Sequence, residues 1–205
     1  MNKKAKGMTL IEVVISMAIL SVVFSVIYLF FFSSNRILSD ADVKEQLQSE
    51  GHKIEDKITT LGMATSNIID IKDPHNNSLM DLKEGNVKAV KFNIVTTNTS
   101  DSIINKEVIV KYDEVNKSIY CGESIDPNIM TNGSISGLTL LSSNVESFQI
   151  KSTEVDKKVT PAAGTIPVVK KLKETKSIEI ILTLSKKKGY SSITSEISTE
   201  IKFRY

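Results

Sequence analysis

Residues 8–32 form an apolar run in which Glu12 is the only charge. Val13 to Phe32 supplies 20 uncharged residues. As a helix at ~1.5 Å per residue they cover ~30 Å, the thickness of a bilayer core. Lys3, Lys4 and Lys6 precede the run, and basic residues favour the cytoplasmic side. The rest of the chain is therefore expected outside the membrane, with one pass and a cytoplasmic N-terminus.

Three readings compete for this segment. An ordinary secretory signal peptide has an apolar stretch of about 7–15 residues and then a small-residue cleavage site. This run is longer, and no such site follows it. A plain membrane anchor fits the length but leaves Glu12 unexplained. A carboxylate near the edge of the lipid costs on the order of 1–3 kcal/mol unless it finds a partner.

The third reading supplies that partner. The stretch Gly7-Met8-Thr9-Leu10-Ile11-Glu12-Val13 resembles the processing motif of type IV prepilins. The resemblance implies a prepilin peptidase that cuts between Gly7 and Met8, and methylation of the new Met8 amine. It also implies an assembly role for Glu12, the fifth residue counted from Met8. An amine and a carboxylate four residues apart share one helical face. Glu12 can pair with its own Met8 amine, or in a filament with that of a neighbouring subunit. An unpaired buried charge is costly, so the second pairing favours a fixed axial register. Two positions depart from the family's common pattern. Met8 stands where Phe is usual, and Leu29 occupies the neighbourhood where many major pilins carry proline. Ala18, Ser21 and Ser25 recur at a spacing that allows close helix approach in membranes. The same residues are also ordinary membrane-helix composition, and both readings stand.

Beyond Phe32 the composition turns polar while the helical period continues. Ile37, Leu38, Ala41, Leu47, Ile54, Ile58 and Leu61 fall near one stripe, and Lys44, Glu45, Glu50, Lys53 and Lys57 fall on other faces. Gly51 is an interior weakness and Gly62 a plausible stop. A single helix from Met8 to Leu61 would be ~80 Å long. Two helices broken near Ser33-Ser34-Asn35 are the alternative.

From residue 87 the period becomes alternating. Val90, Phe92 and Ile94 mark one strand, and Glu107–Tyr112 a second. A turn at 113–117 returns the chain through Ser118–Cys121. Leu138–Leu141, Val145–Ile150, Ser177–Ser185 and Ser192–Tyr205 follow. Asp70–Gly85 and Lys151–Lys176 read as irregular. The expected fold is α+β: a long N-terminal helix packed on an antiparallel β-sheet head. The expected organisation is a leader at 1–7, a helix at 8–62 with 8–32 as membrane or filament core, and an extracytoplasmic β-rich head at 63–205. The late strand pair, with Arg204 near the end, is similar to the layout of larger minor pilins and pseudopilins.

Chemistry is sparse. Cys121 is the one cysteine, so no intrachain disulfide forms. His52 and His75 lack metal-ligand spacing, and no phosphate loop or nucleophile motif is present. No catalysis, cofactor or metal is expected. The net charge of +2 includes Lys3, Lys4 and Lys6; without them the balance against the 24 acidic residues tips to one net negative. Such a chain does not read as a nucleic-acid binder. Lys170, Lys171, Lys173 and Lys176, and Lys186 to Lys188, keep DNA contact open, but no aromatic residue interleaves with them.

These observations point to a minor pilin or pseudopilin of a type IV filament system, acting in initiation or at the tip. Implied partners are other pilin subunits, the prepilin peptidase, an inner-membrane platform protein, an assembly ATPase and the membrane itself. The alternatives are a membrane-anchored binding module that never enters a filament, and a DNA-uptake pseudopilin.

Overall fold

The computed structural model describes residues 9–97, 103–123, 128–131, 135–160, 164–188 and 191–203. Gly7, Met8, Gly189, Arg204, Tyr205 and the leader lie outside them. The first element is helix α1 (Leu10–Ala64). It passes Leu29 and residues 33–35 without a break, so the two-helix alternative does not hold. The chain divides into two compact units, Met1–Val43 and Lys44–Tyr205, with the boundary inside α1.

In the first unit the large apolar residues of α1 from Leu10 to Phe32 are exposed. Ile37 and Leu38, expected on the docking stripe, are also exposed, and so is Ala41. In the second unit the stripe is real. Leu47, Ile54 and Ile58 are buried along one side of α1, with Gly51 and Gly62 in the same row. Gly62 does not stop the helix, which ends at Ala64.

Eleven strands follow among the described residues: β1 (Thr65–Lys72), β2 (Glu84–Asn86), β3 (Ala89–Thr97), β4 (Ile103–Asp113), β5 (Ser118–Glu123), β6 (Thr139–Ser142), β7 (Val145–Ser152), β8 (Val155–Thr160), β9 (Gly164–Val169), β10 (Ser177–Lys188) and β11 (Ser191–Lys202). The head expected as one sheet is two antiparallel sheets and a hairpin. The first sheet runs β1-β3-β4-β5-β6, the second runs β11-β10-β7-β2, and β8 pairs with β9. The strands read from alternation form, the last of them, expected over Ser192–Tyr205, as far as Lys202. β1, β2, β8 and β9 are additional: the first two reach into Asp70–Gly85 and the last two lie within Lys151–Lys176, the stretches expected to be irregular.

Alternation decides the core. On β10, Ile178, Ile180, Leu182 and Leu184 are buried, and they sit opposite Ile150 and Phe148 of β7 and Ile197 and Ile201 of β11. In the first sheet Val90 and Phe92 of β3 pair with Val110 and Val108 of β4 on one buried face. The other face carries Ala89 and Ile109, covered by Ile129, Met130 and Leu138. β4 is therefore apolar on both sides at residues 108–110. Burial of each large side chain stabilises by about 1.5–3 kcal/mol.

The sheets are joined by polar contacts. The Tyr112 hydroxyl donates to the Glu146 carbonyl at 2.9 Å, and the Val87 amide donates to the Phe148 carbonyl at 2.8 Å. Glu50, which lies off the apolar stripe, accepts from Ser142 Oγ at 2.7 Å and Asn144 Nδ2 at 2.9 Å. It fastens α1 to the turn between β6 and β7.

Candidate functional site

The start of α1 is the place where sequence motif and geometry meet. Thr9 precedes the first helical residue, and its hydroxyl accepts from the Glu12 amide at 3.4 Å. In return the Glu12 carboxylate accepts from the Thr9 amide at 2.8 Å and the Thr9 hydroxyl at 3.0 Å. This is a capping box, in which residues three apart satisfy each other's orphan groups at a helix start. The spacing is visible as Thr9-Leu10-Ile11-Glu12 before an apolar run, a signal of the role that Thr9 takes here and that the processing motif does not assign to it. In this structure Glu12 is held by Thr9. Gly7 and Met8 lie outside the described residues.

The serines along the apolar run are satisfied within the helix. Ser16, Ser21 and Ser25 donate to the carbonyls of Glu12, Met17 and Ser21, at 2.7, 2.7 and 2.8 Å. A hydroxyl bonded this way presents little unsatisfied polarity to lipid. Tyr28 and Phe32 stack with ring centroids 6.5 Å apart, near the polar end of the run. By length and composition α1 is apolar enough to cross a membrane.

The head offers less. Cys121 is 2% exposed, and burial pushes its thiol up to about 11. It behaves as a small core residue. Among the described residues no three His, Cys, Asp or Glu side chains are placed to hold a metal. His52 sits 3.4 Å from Glu55 on the helix surface. The first lysine cluster is engaged with carboxylates: Lys170 with Glu154 at 2.8 Å, and Lys173 and Lys171 with Asp81 at 2.6 and 3.5 Å. The hydrogen bond from Lys173 holds the Asp81 carboxyl below its usual range. In the second cluster Lys186 donates to Gln46 at 3.1 Å, while Lys187 and Lys188 are exposed.

Residues 2–28 match the family described as the prokaryotic N-terminal methylation motif. The N-terminus of this chain is a type IV prepilin-like signal. The matched residues include Gly7, Met8, the Thr9–Glu12 box and α1 as far as Tyr28. No curated protein and no solved structure matches the chain significantly. The prepilin-like signal is thus joined to a head whose two sheets carry no comparison of their own.

Proposed function

We propose that the chain is a structural subunit, a minor pilin or pseudopilin, of a type IV filament system. The observation that carries this reading is the exposed apolar surface of α1 behind a methylation motif. A helix whose large side chains from Leu10 to Phe32 are all uncovered needs lipid first and other helices later. The unbroken helix at Leu29 supports a subunit without the proline-linked break of many major pilins.

In this proposal Gly7 and Met8 are the cleavage site, and Met8 carries the methylated amine. Glu12 sets axial register against a neighbouring subunit. The peptidase, a platform protein and an assembly ATPase act on the chain in turn. The head works by contact rather than catalysis, outside the membrane and then at the filament surface.

Intact mass and N-terminal sequencing of the protein from its native membrane test the reading. A chain beginning at Met8 with one added methyl group is expected. A chain retaining Met1 to Gly7, in cells whose other prepilins are processed, would overturn it and leave a membrane-anchored binding module.

A further inference from the structure

β10 ends in Lys186, Lys187 and Lys188, and no acidic residue stands between Ile180 and Ser195. Lys187 and Lys188 are exposed and carry no ion pair among the described residues. The other lysine cluster differs, since Lys171 and Lys173 are held by Asp81.

The place of these lysines in the fold is set by α1. Leu184 of β10 lies against Gly51, and Lys186, two residues on, donates to Gln46 at 3.1 Å. β10 thus runs toward the N-terminal end of the helical half that carries the head, the end from which the chain leaves for the apolar run. Two further residues, at ~3.4 Å each, bring Lys188 ~7 Å closer to that end. Within α1 Gln46 stands fourteen residues after Phe32, a helical length of ~21 Å. A tilted helix lowers that height and never raises it. Taking away ~7 Å of strand and ~5–7 Å of headgroup layer leaves ~7–9 Å, about one Debye length at physiological salt. The helix between does not supply positive charge. Ser33–Glu45 carries Arg36 and Lys44 against Asp40, Asp42 and Glu45.

We propose that Lys187 and Lys188 dock the β10–β11 tip on the anionic headgroups of the bilayer that holds α1, with Gln46 fixing the strand through Lys186. A lysine beside an anionic surface raises the bound population about fivefold, and the gain fades within a Debye length. The contact rests on Leu10–Phe32 lying in the membrane and does not depend on filament entry.

The test uses the full chain with Ser192→Cys, reconstituted in vesicles of phosphatidylcholine or of equal parts phosphatidylcholine and phosphatidylglycerol. Both contain a trace of lipid with a nitroxide on its headgroup. A membrane-impermeant maleimide dye marks the outward heads, and Cys121, 2% exposed, stays unlabelled. Retention in alkaline carbonate reads insertion separately, so a chain that fails to anchor is told from one whose tip stays clear. In the inserted fraction quenching should be at least ~2-fold stronger in the anionic vesicles and should fall to the zwitterionic level in ~1 M salt. Lys187→Gln with Lys188→Gln should remove the difference, and Lys171→Gln with Lys173→Gln should keep it. Equal quenching in both lipids overturns the proposal. So does a difference that survives the first pair of changes, or that both pairs abolish alike. Quenching indifferent to lipid, with a DNA duplex retained by the wild type and lost with Lys187→Gln and Lys188→Gln, gives these lysines to nucleic acid instead. Should Ser192→Cys fail to reconstitute, Thr194→Cys, on the same exposed face of β11, takes its place.

Discussion

Gly62 of α1 faces Ile201 of β11 so closely that a Cβ on the glycine would overlap the isoleucine Cγ2 and come within 3.1 Å of its Cβ and Cγ1. Ile201 is 4% exposed and branched at the crowded carbon, so it has nowhere to turn. Gly51 makes a similar approach three helical turns earlier, but there the overlap is with Cδ1 of Ile197, the free end of a longer side chain. Alanine adds ~0.5–1 kcal/mol of helix propensity at either site, and overpacking costs about 1–3 kcal/mol. Gly62→Ala should therefore destabilise the head by ~1–2 kcal/mol in urea unfolding, and Gly51→Ala should be close to neutral. Ile201→Val should not rescue Gly62→Ala, because the clashing Cγ2 remains.

Glu50 joins α1 to Ser142 and Asn144 through both carboxylate oxygens. Glu50→Ala removes hydrogen bonds to a charged group and strands their donors in a half-buried turn. A loss of about 1.5–3 kcal/mol is expected. Glu50→Gln should lose less, since an amide oxygen still accepts. Thermal unfolding of the full chain in detergent reads the difference.

Cys121 gives a pH signature. Its thiol pKa stands at about 11 in the fold against 9.0 for the unperturbed group. The folded state therefore keeps the proton that the unfolded state releases. Its contribution to stability is complete below pH 9 and is lost as pH rises through about 11. Wild type should lose more stability than Cys121→Ala between these values. A maleimide at pH 8 should label the thiol only after unfolding.

Glu12 and Thr9 separate filament entry from anchoring. Glu12→Ala removes a charge from the edge of the lipid, so membrane insertion should be unchanged or increased, while recovery in sheared filaments should fall at least ~10-fold. Equal recovery of mutant and wild type would contradict the register role. Thr9→Val removes the cap hydroxyl and should speed amide exchange at residues 10–12, at a cost of about 0.5–2 kcal/mol. Thr9→Ser should keep wild-type exchange.

Much of this was written locally in the chain. The membrane segment and its single carboxylate are readable because lipid admits so few side-chain patterns. Strands such as β10 alternate cleanly, because one face is buried and the other is wet. β1 escaped notice because register shifts between Thr65 and Asn67 and between Ile68 and Asp70 break its two-residue period. β8 and β9 escaped because Pro167 and paired lysines interrupt them, as suits strands at an edge. Glu50 reads as an exposed charge until the distant Ser142 and Asn144 are brought to it, a contact between residues more than ninety positions apart that no local pattern announces.

Every atom of the box at the start of α1 belongs to Thr9 or to Glu12, on the far side of the Gly7–Met8 bond from the leader. Cutting that bond leaves the Thr9 amide intact, because its own peptide link is to Met8. The helix start of the precursor and of the product is then the same piece of structure. If the chain is cut there as proposed, the charge at the membrane edge changes while the Thr9–Glu12 contacts have nothing to rebuild, and a subunit would leave the peptidase ready for its next partner.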